Sequence, residues 1–543
     1  MKLSPLPIGM FVLLSLAACI PQQPSGTGMM HGNQGMMHGN DAGVSGFLPG
    51  QKLDISSLPE AKLSEPIDVL DGDTIRLDPT LVRTSINGNE VAMYGYNGQI
   101  PGPQINVKQG STFTVNVTNG IDLPTSIHWH GLRLDNANDG AVGLTQKEIA
   151  QGKSYSYTVK VPDEGIYWYH THVREDIQQP MGLYGTIVVT PLKKDAYAPV
   201  DFEQVLVLND LLVDRQGTPV PYGNKNADRT LMGRFGNMFL INGATPKPLE
   251  TGLGMVGRFM ILNASNTRMY RIIPPPGGAL KIVGGDNGRY EHEFMTHAFT
   301  LAPSERVIAE VYFWDDGVNH GNPAQRTVPL VISGPPDDPV TVQSVTIVGG
   351  IVGADRSKDF SKIITNADVV QSIDPFRSSF DKSPDHTIVL DMSMMGGGGM
   401  MNGGGMMRGN TPENGIEWED SGMNQMSMGS MMKWKMIDQE TGAANEKIVY
   451  TASTGDKVKI RIINKKDSAH PMQHPIHFHG QRFLVLTDNG IKNTDFVWKD
   501  TVLVPAGHTV DILLDASNPG DWMFHCHIAE HLSNGMMGLL KIE

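Results

Sequence analysis

The sequence predicts an all-β chain made of three consecutive β-sandwiches. Three observations lead there. Gly (61) and Pro (35) are plentiful and only 18% of residues are charged, a mix that suits short strands between turns better than long helices. Runs such as Thr112-Phe113-Thr114-Val115-Asn116-Val117 and Lys457-Val458-Lys459-Ile460-Arg461-Ile462 alternate with the period of two of a half-buried strand. A glycine followed nine residues later by an asparagine brackets such a strand three times, at Gly110/Asn119, Gly254/Asn263 and Gly455/Asn464. Self-similarity of that kind marks repeated units, and a length of 543 residues leaves room for three.

Residues 1–18 read as a signal peptide. Lys2 is the only early positive charge, and the apolar stretch Ile8–Ala18 is too short to span a bilayer. Its end, Leu16-Ala17-Ala18-Cys19, resembles the lipobox of bacterial lipoproteins, which implies cleavage before Cys19 and lipid attachment to it. Residues 19–59, rich in Pro, Gly, Gln and Asn at their start, are expected to form a disordered tether. It carries a duplication, Gly28-Met29-Met30-His31-Gly32-Asn33 and Gly35-Met36-Met37-His38-Gly39-Asn40.

The three sandwiches are expected at 60–192, 193–350 and 384–543, with a connector at 351–383. An insertion at 392–436 holds 13 of the 31 methionines around Gly396 to Gly399. The outer two units look like copies. Gly165-Ile166-Tyr167-Trp168-Tyr169-His170-Thr171-His172 matches Gly520-Asp521-Trp522-Met523-Phe524-His525-Cys526-His527, and Gly182-Leu183-Tyr184-Gly185 matches Gly535-Met536-Met537-Gly538.

A formal charge of −14 argues against a nucleic-acid partner. There are two cysteines, so if Cys19 is consumed by processing Cys526 has no disulfide partner.

Ten of the eighteen histidines fall into four clusters: His128-Trp129-His130, His170-Thr171-His172, His474-Pro475-Ile476-His477-Phe478-His479, and His525-Cys526-His527 with His531 following. Residues two apart on a strand share a face, so each His-x-His pair can offer two imidazoles to one metal cluster. Cys526, between two histidines, then faces the other way and binds a different metal. With His474, His531 and the soft axial thioether of Met536 it makes the ligand set of a blue-copper electron-transfer site. A zinc hydrolase would have no use for that thiolate or for eight further imidazoles.

In this order and spacing the motifs resemble those of multicopper oxidases (laccases, bilirubin oxidases and periplasmic cuprous oxidases) over about residues 60–543. The resemblance implies cupredoxin-like sandwiches and four copper ions per chain. The type 1 copper would sit on His474, Cys526, His531 and Met536, and the type 2 copper on His128 and His477. The type 3 pair would sit on His130, His170, His172, His479, His525 and His527. It also implies oxidation of a donor one electron at a time, with four electrons passed to dioxygen to give water. Asp139, in Asn138-Asp139-Gly140, resembles the family's acidic residue near the type 2 copper, which implies a proton-relay role. The carboxylate that often follows the last type 1 histidine in bacterial relatives is here Leu532, so Asp139 or Glu530 would have to compensate. Asp500 is a candidate for orienting a ligand histidine.

By alignment of the copies, Thr125, Thr171, Asp176 and Leu183 stand where the third unit has its type 1 ligands. One blue copper per chain is therefore expected, in the last sandwich. The middle one, without any His-x-His, is expected to be structural. His31 and His38 are candidates for weak copper binding in the tether. His292, His297, His320, His386, His470 and His508 are expected at the surface or in packing.

Met536 as axial ligand suits an easily oxidised donor, and thioethers favour Cu(I). Similar methionine-rich segments in cuprous oxidases cover the type 1 copper. The leading expectation is Cu(I) oxidation in copper tolerance; the alternatives are a laccase acting on phenols and a copper-sequestering lipoprotein. The chain is expected to be a monomer, periplasmic or on the outer cell surface, touching membrane through its lipid anchor alone.

Overall fold

The computed structural model describes residues 46–314, 325–352, 354–394, 413–418 and 432–543. The chain is nearly all β, and its long sheets pair into three sandwiches. In the first, the strands 66–69, 104–108, 184–190, 165–170 and 128–130 lie side by side in that order, opposite a sheet of 74–76, 112–118 and 154–160. The second pairs a six-stranded sheet centred on Val256–Asn263 and Arg306–Tyr312 with a five-stranded one. The third repeats the six-plus-five plan, with 449–452, 537–542, 520–526, 474–478 and 501–504 adjacent in one sheet. Neighbouring strands are mostly not consecutive in sequence, the crossovers of Greek-key folding. Each sandwich has its own apolar core, as two apolar sheet faces require.

The Gly–Asn repeat has one structural cause. Gly110, Gly254 and Gly455 all adopt positive φ (86°, 81° and 96°) in the turn that launches a central strand. At the far end the asparagine is buried and its Nδ2 donates to two carbonyls: Leu123 and Ile149 from Asn119, Arg268 and Leu301 from Asn263, Met472 and Val504 from Asn464. One side chain thus ties two loops at the same place in every sandwich.

Three sequence expectations change. Residues 46–59, placed in the tether, are ordered against the body. Phe47 exchanges backbone hydrogen bonds with Tyr222 at 2.9 and 3.0 Å, Ile55–Ser57 forms a 3-10 turn, and Phe47 and Leu48 pack on the first core. Apolar side chains override a polar composition there. The insertion expected at 392–436 begins and ends inside paired strands: His386–Met394 and Met432–Asp438 form a hairpin with Met394 opposite Met432. The inserted part is therefore 395–431, of which 413–418 are described. The connector contains two helices, Ser357–Ser361 and Ala367–Arg377.

Residues 1–18, Cys19 and the Met/His duplication lie outside the described residues. Among the described residues no helix is long and apolar enough to cross a membrane.

Candidate metal centres

The strand Gly520–Cys526 organises the region. It pairs with His474–Phe478 so that Ile476 lies opposite Cys526 and His477 opposite His525. In the first sandwich His128–His130 pairs with Gly165–His170, His128 opposite His170. Several ligand positions fall just beyond strand ends (His172, His479 and His527), where the chain is free to turn its rings inward.

On one side of Gly520–Cys526 lies a three-residue centre. Cys526 Sγ is 3.5 Å from His474 Nδ1 and 3.7 Å from His531 Nδ1, and the two nitrogens are 3.3 Å apart. Met536 is buried beside them, held by its backbone: the Cys526 N–H donates to its carbonyl and its own N–H donates to the His531 carbonyl, both at 3.1 Å. Burial pushes the Cys526 thiol up and His474 down to about 3, and it holds His531 well below the usual imidazole range. Two imidazoles disfavoured from protonating and a thiol that needs a nearby cation to ionise make a group that could hold a metal ion. The Trp434 ring covers it, 4.5 Å from His531 and 4.8 Å from His474 between centroids, and donates Nε1–H to the Thr230 carbonyl at 2.7 Å. His474 and His531 are 1% and 0% exposed.

On the other side, eight imidazoles from the first and third sandwiches converge. Three groups have ligand atoms within 4.8 Å of one another: His128/His130/His477, His130/His170/His527 and His172/His479/His525. Rings from the two sandwiches stack, His130 on His477 at 3.7 Å and His128 on His479 at 4.0 Å. The outward nitrogens are tied down. Nδ1 of His128, His477, His170 and His525 donates to the carbonyls of Asp139, Asp500, Thr171 and Cys526 at 2.7–2.9 Å. His172 Nδ1 lies 2.8 Å from Glu175 Oε1, and His479 Nδ1 lies 2.9 Å from Asp139 Oδ2. His130 is reversed, with its Nε2 3.0 Å from Asp500 Oδ1.

The inward nitrogens are orphans. His128 Nε2, His130 Nδ1, His170 Nε2, His172 Nε2, His477 Nε2 and His527 Nε2 are buried without hydrogen-bond partners, while His479 Nε2 and His525 Nε2 abut at 3.0 Å. Leaving so many buried polar atoms unsatisfied is costly unless something binds them. Burial, aided by neighbouring imidazoles, also lowers the pKa of His130, His170, His479, His525 and His527. An all-nitrogen pocket lined by eight imidazoles, one strand away from the cysteine site, fits copper ions.

Asp139 and Asp500 occupy matching places. Each backbone carbonyl holds a histidine of its own sandwich, and each carboxylate holds one from the other. Asp139 Oδ1 is left without a hydrogen bond. Glu530 is fully buried with neither oxygen partnered; burial, with Asp176 nearby, pushes its pKa up to about 8.

In the first sandwich the counterparts of the thiolate site form a polar cluster. The Thr125 and Thr171 hydroxyls are 3.2 Å apart and Thr171 donates to Gln178 Oε1. Asp176, matched to His531 by spacing, pairs instead with Arg174.

Glu175, Trp434 and Arg306, which ion-pairs with Asp500, were not foreseen from sequence. Glu175 was findable, three residues after His172. The other two carry no local signal. Of the remaining histidines, His292, His297 and His508 make hydrogen bonds, His386 stacks on Tyr450, and His470 lies near Trp434. His31, His38 and His320 lie outside the described residues.

Comparison with known proteins agrees. Family models described as multicopper oxidase match residues 80–194 and 415–543. The multicopper oxidase mco of Staphylococcus aureus is 25% identical, covering 84% of this chain and 85% of that protein. Copper resistance protein A of Escherichia coli is also 25% identical, covering 86% and 92%. A solved multicopper oxidase from Campylobacter jejuni, titled a metallo-oxidase, superposes with a TM-score of 0.64 at 22% identity, covering 90% and 98%.

Proposed function

Because the chain belongs to the multicopper oxidase family, copper enzymes with dioxygen as electron acceptor, we propose that it oxidises Cu(I) to Cu(II) in copper tolerance through four bound coppers. The balance is four Cu(I), one dioxygen and four protons giving four Cu(II) and two water molecules. His474, Cys526, His531 and Met536 would hold the type 1 copper. His128 and His477 would hold the type 2 copper, and His130, His170, His172, His479, His525 and His527 would hold the type 3 pair. Copper bound there would supply one-electron acceptance at the cysteine site and four-electron delivery to dioxygen at the cluster.

The protein's own residues do the rest. Cys526, flanked by His525 and His527, offers a covalent path from one site to the other. Asp139, whose carboxylate lies against His479 and His128, and Glu530, whose burial pushes its pKa up to about 8, are the groups we assign to passing protons inward.

The observation that carries the donor assignment is the closed thiolate site. With His474 and His531 buried and Trp434 across both rings, no imidazole edge is open to a phenol. A small cation held by thioethers needs no such contact, and the methionine-rich stretch 395–431 ends three residues before Trp434 in sequence. Resemblance of Leu16 to Cys19 to a lipobox supports export and anchoring at Cys19.

The test is Cu(I) added without oxygen, then air, with oxygen uptake followed beside a parallel run with a phenol. Catalytic uptake with Cu(I), many-fold over bound metal and faster than with phenol, is expected. Faster uptake with phenol would make the enzyme a laccase, and uptake ending at the bound-metal amount would make it a copper store.

A further inference from the structure

The middle sandwich sends one side chain to both outer ones. Arg306, at the start of the strand Arg306–Tyr312, is 1% exposed. Its Nε donates to the Ile166 carbonyl at 2.8 Å in the first sandwich, and Nη1 donates to the Ser304 carbonyl at 3.0 Å in its own. Nη1 and Nη2 grip Oδ1 and Oδ2 of Asp500, in the third, at 2.7 and 2.5 Å. Its backbone N–H donates to Asp286, whose other oxygen pairs with Lys499 at 3.0 Å.

This grip separates two otherwise matching acids. Both oxygens of Asp139 face histidines alone, Oδ2 at 2.9 Å from His479 and Oδ1 at 3.3 Å from His128, whereas both oxygens of Asp500 are held in the plane of a guanidinium fork. His130, the histidine that Asp500 holds, is also the one whose Nδ1 rather than Nε2 is the orphan facing the cluster. Gly131, next along the chain, leaves room for the clamp: a Cβ there would lie 2.3 Å from Asp500 Oδ2 and 2.8 Å from Arg306 Nη2.

We propose that Arg306 is a positioning residue for the three-copper site, fixing the carboxylate plane of Asp500 and, through it, the tautomer and ring orientation of His130. The proposal rests on the assignment of the eight imidazoles to copper. The middle sandwich then does more than space the outer two.

The test compares Arg306→Lys, which keeps the charge and loses the fork, and Arg306→Met, which keeps bulk alone, with Asp500→Asn and the Arg306→Met/Asp500→Asn pair. The readouts are copper per chain, the EPR signal of the non-blue cupric site, turnover with Cu(I), and the blue absorption of the thiolate site. That absorption reports folding of the sandwich that carries Asp500. Blue colour retained in Arg306→Lys, with turnover or cluster-copper affinity down about 10- to 100-fold, a larger loss in Arg306→Met, and a double variant no worse than Arg306→Met are expected. Wild-type cluster copper, EPR and turnover in both Arg306 variants would overturn the proposal. So would losses that multiply in the double variant, since Arg306 would then act independently of Asp500. Should Arg306→Met fail to fold, the Lys variant decides alone. A wild-type protein without cluster copper would instead sink the copper assignment itself, a result visible before any variant is made.

Discussion

Single residues decide the chemistry because, of the two acids beside the imidazole pocket, Asp500 is gripped by a guanidinium and Asp139 is not. Asp139 Oδ2 touches His479, and Oδ1 lies 3.3 Å from His128 Nδ1 with no guanidinium on either oxygen. Asp139→Asn keeps the shape and removes the proton-accepting group. Oxygen uptake is expected to fall by about 10²–10⁴-fold, the usual worth of a placed acid–base group, with copper content unchanged on metal analysis. Loss of copper along with activity would mean that Asp139 holds rings rather than protons. The histidines and the cysteine that the fold brings together could be read from sequence because metal-ligating side chains at fixed spacing leave a pattern there. Arg306 and Trp434 could not, because their roles depend on partners brought close by folding: Asp500 lies 194 positions from Arg306.

At the scale of elements, the asparagine that ends each central strand secures the loops around the sites. Asn464 donates to Met472, two residues before His474, and to Val504, the strand partner of His474. Asn464→Ala leaves two buried carbonyls short of a donor and is expected to cost about 1–3 kcal/mol for each, seen as a lower melting temperature and weaker blue colour. A melting curve matching wild type would show that water replaces the amide. The Gly–Asn spacing was visible in sequence, although its purpose was not. The helix Ala367–Arg377 was missed for a different reason. Val369, Ile373 and Phe376 carry the spacing of one helix face, but Pro375 within the segment argues for a break.

Across the whole molecule, burial of so many neutral imidazoles links folding to pH. His474 is held at about 3, and seven other ligand histidines lie below their ordinary value of 6.5. Between the lowered values and 6.5 the unfolded chain binds more protons than the folded one, so stability rises with pH in that window and is lost on acidification. Each such imidazole contributes a slope of at most about 1.4 kcal/mol per pH unit. His172, raised by Glu175 against the effect of burial, works in the opposite direction. Copper-free protein is therefore expected to melt at progressively lower temperature as pH falls below 6.5, measured by calorimetry after chelation. A flat profile from pH 7 to 4 would contradict neutral, buried rings. Three similar sandwiches were legible because repeats leave marks in sequence; the ordered segment 46–59 was not, since its order comes from Phe47 and Leu48 docking on a distant surface.

The stacking of His130 on His477 and of His128 on His479 has a consequence for biogenesis. Rings made early in synthesis wait for counterparts made near its end. A growing polypeptide displays one half of each stacked pair until the last sandwich is made, so the pocket is complete only when the finished chain has folded.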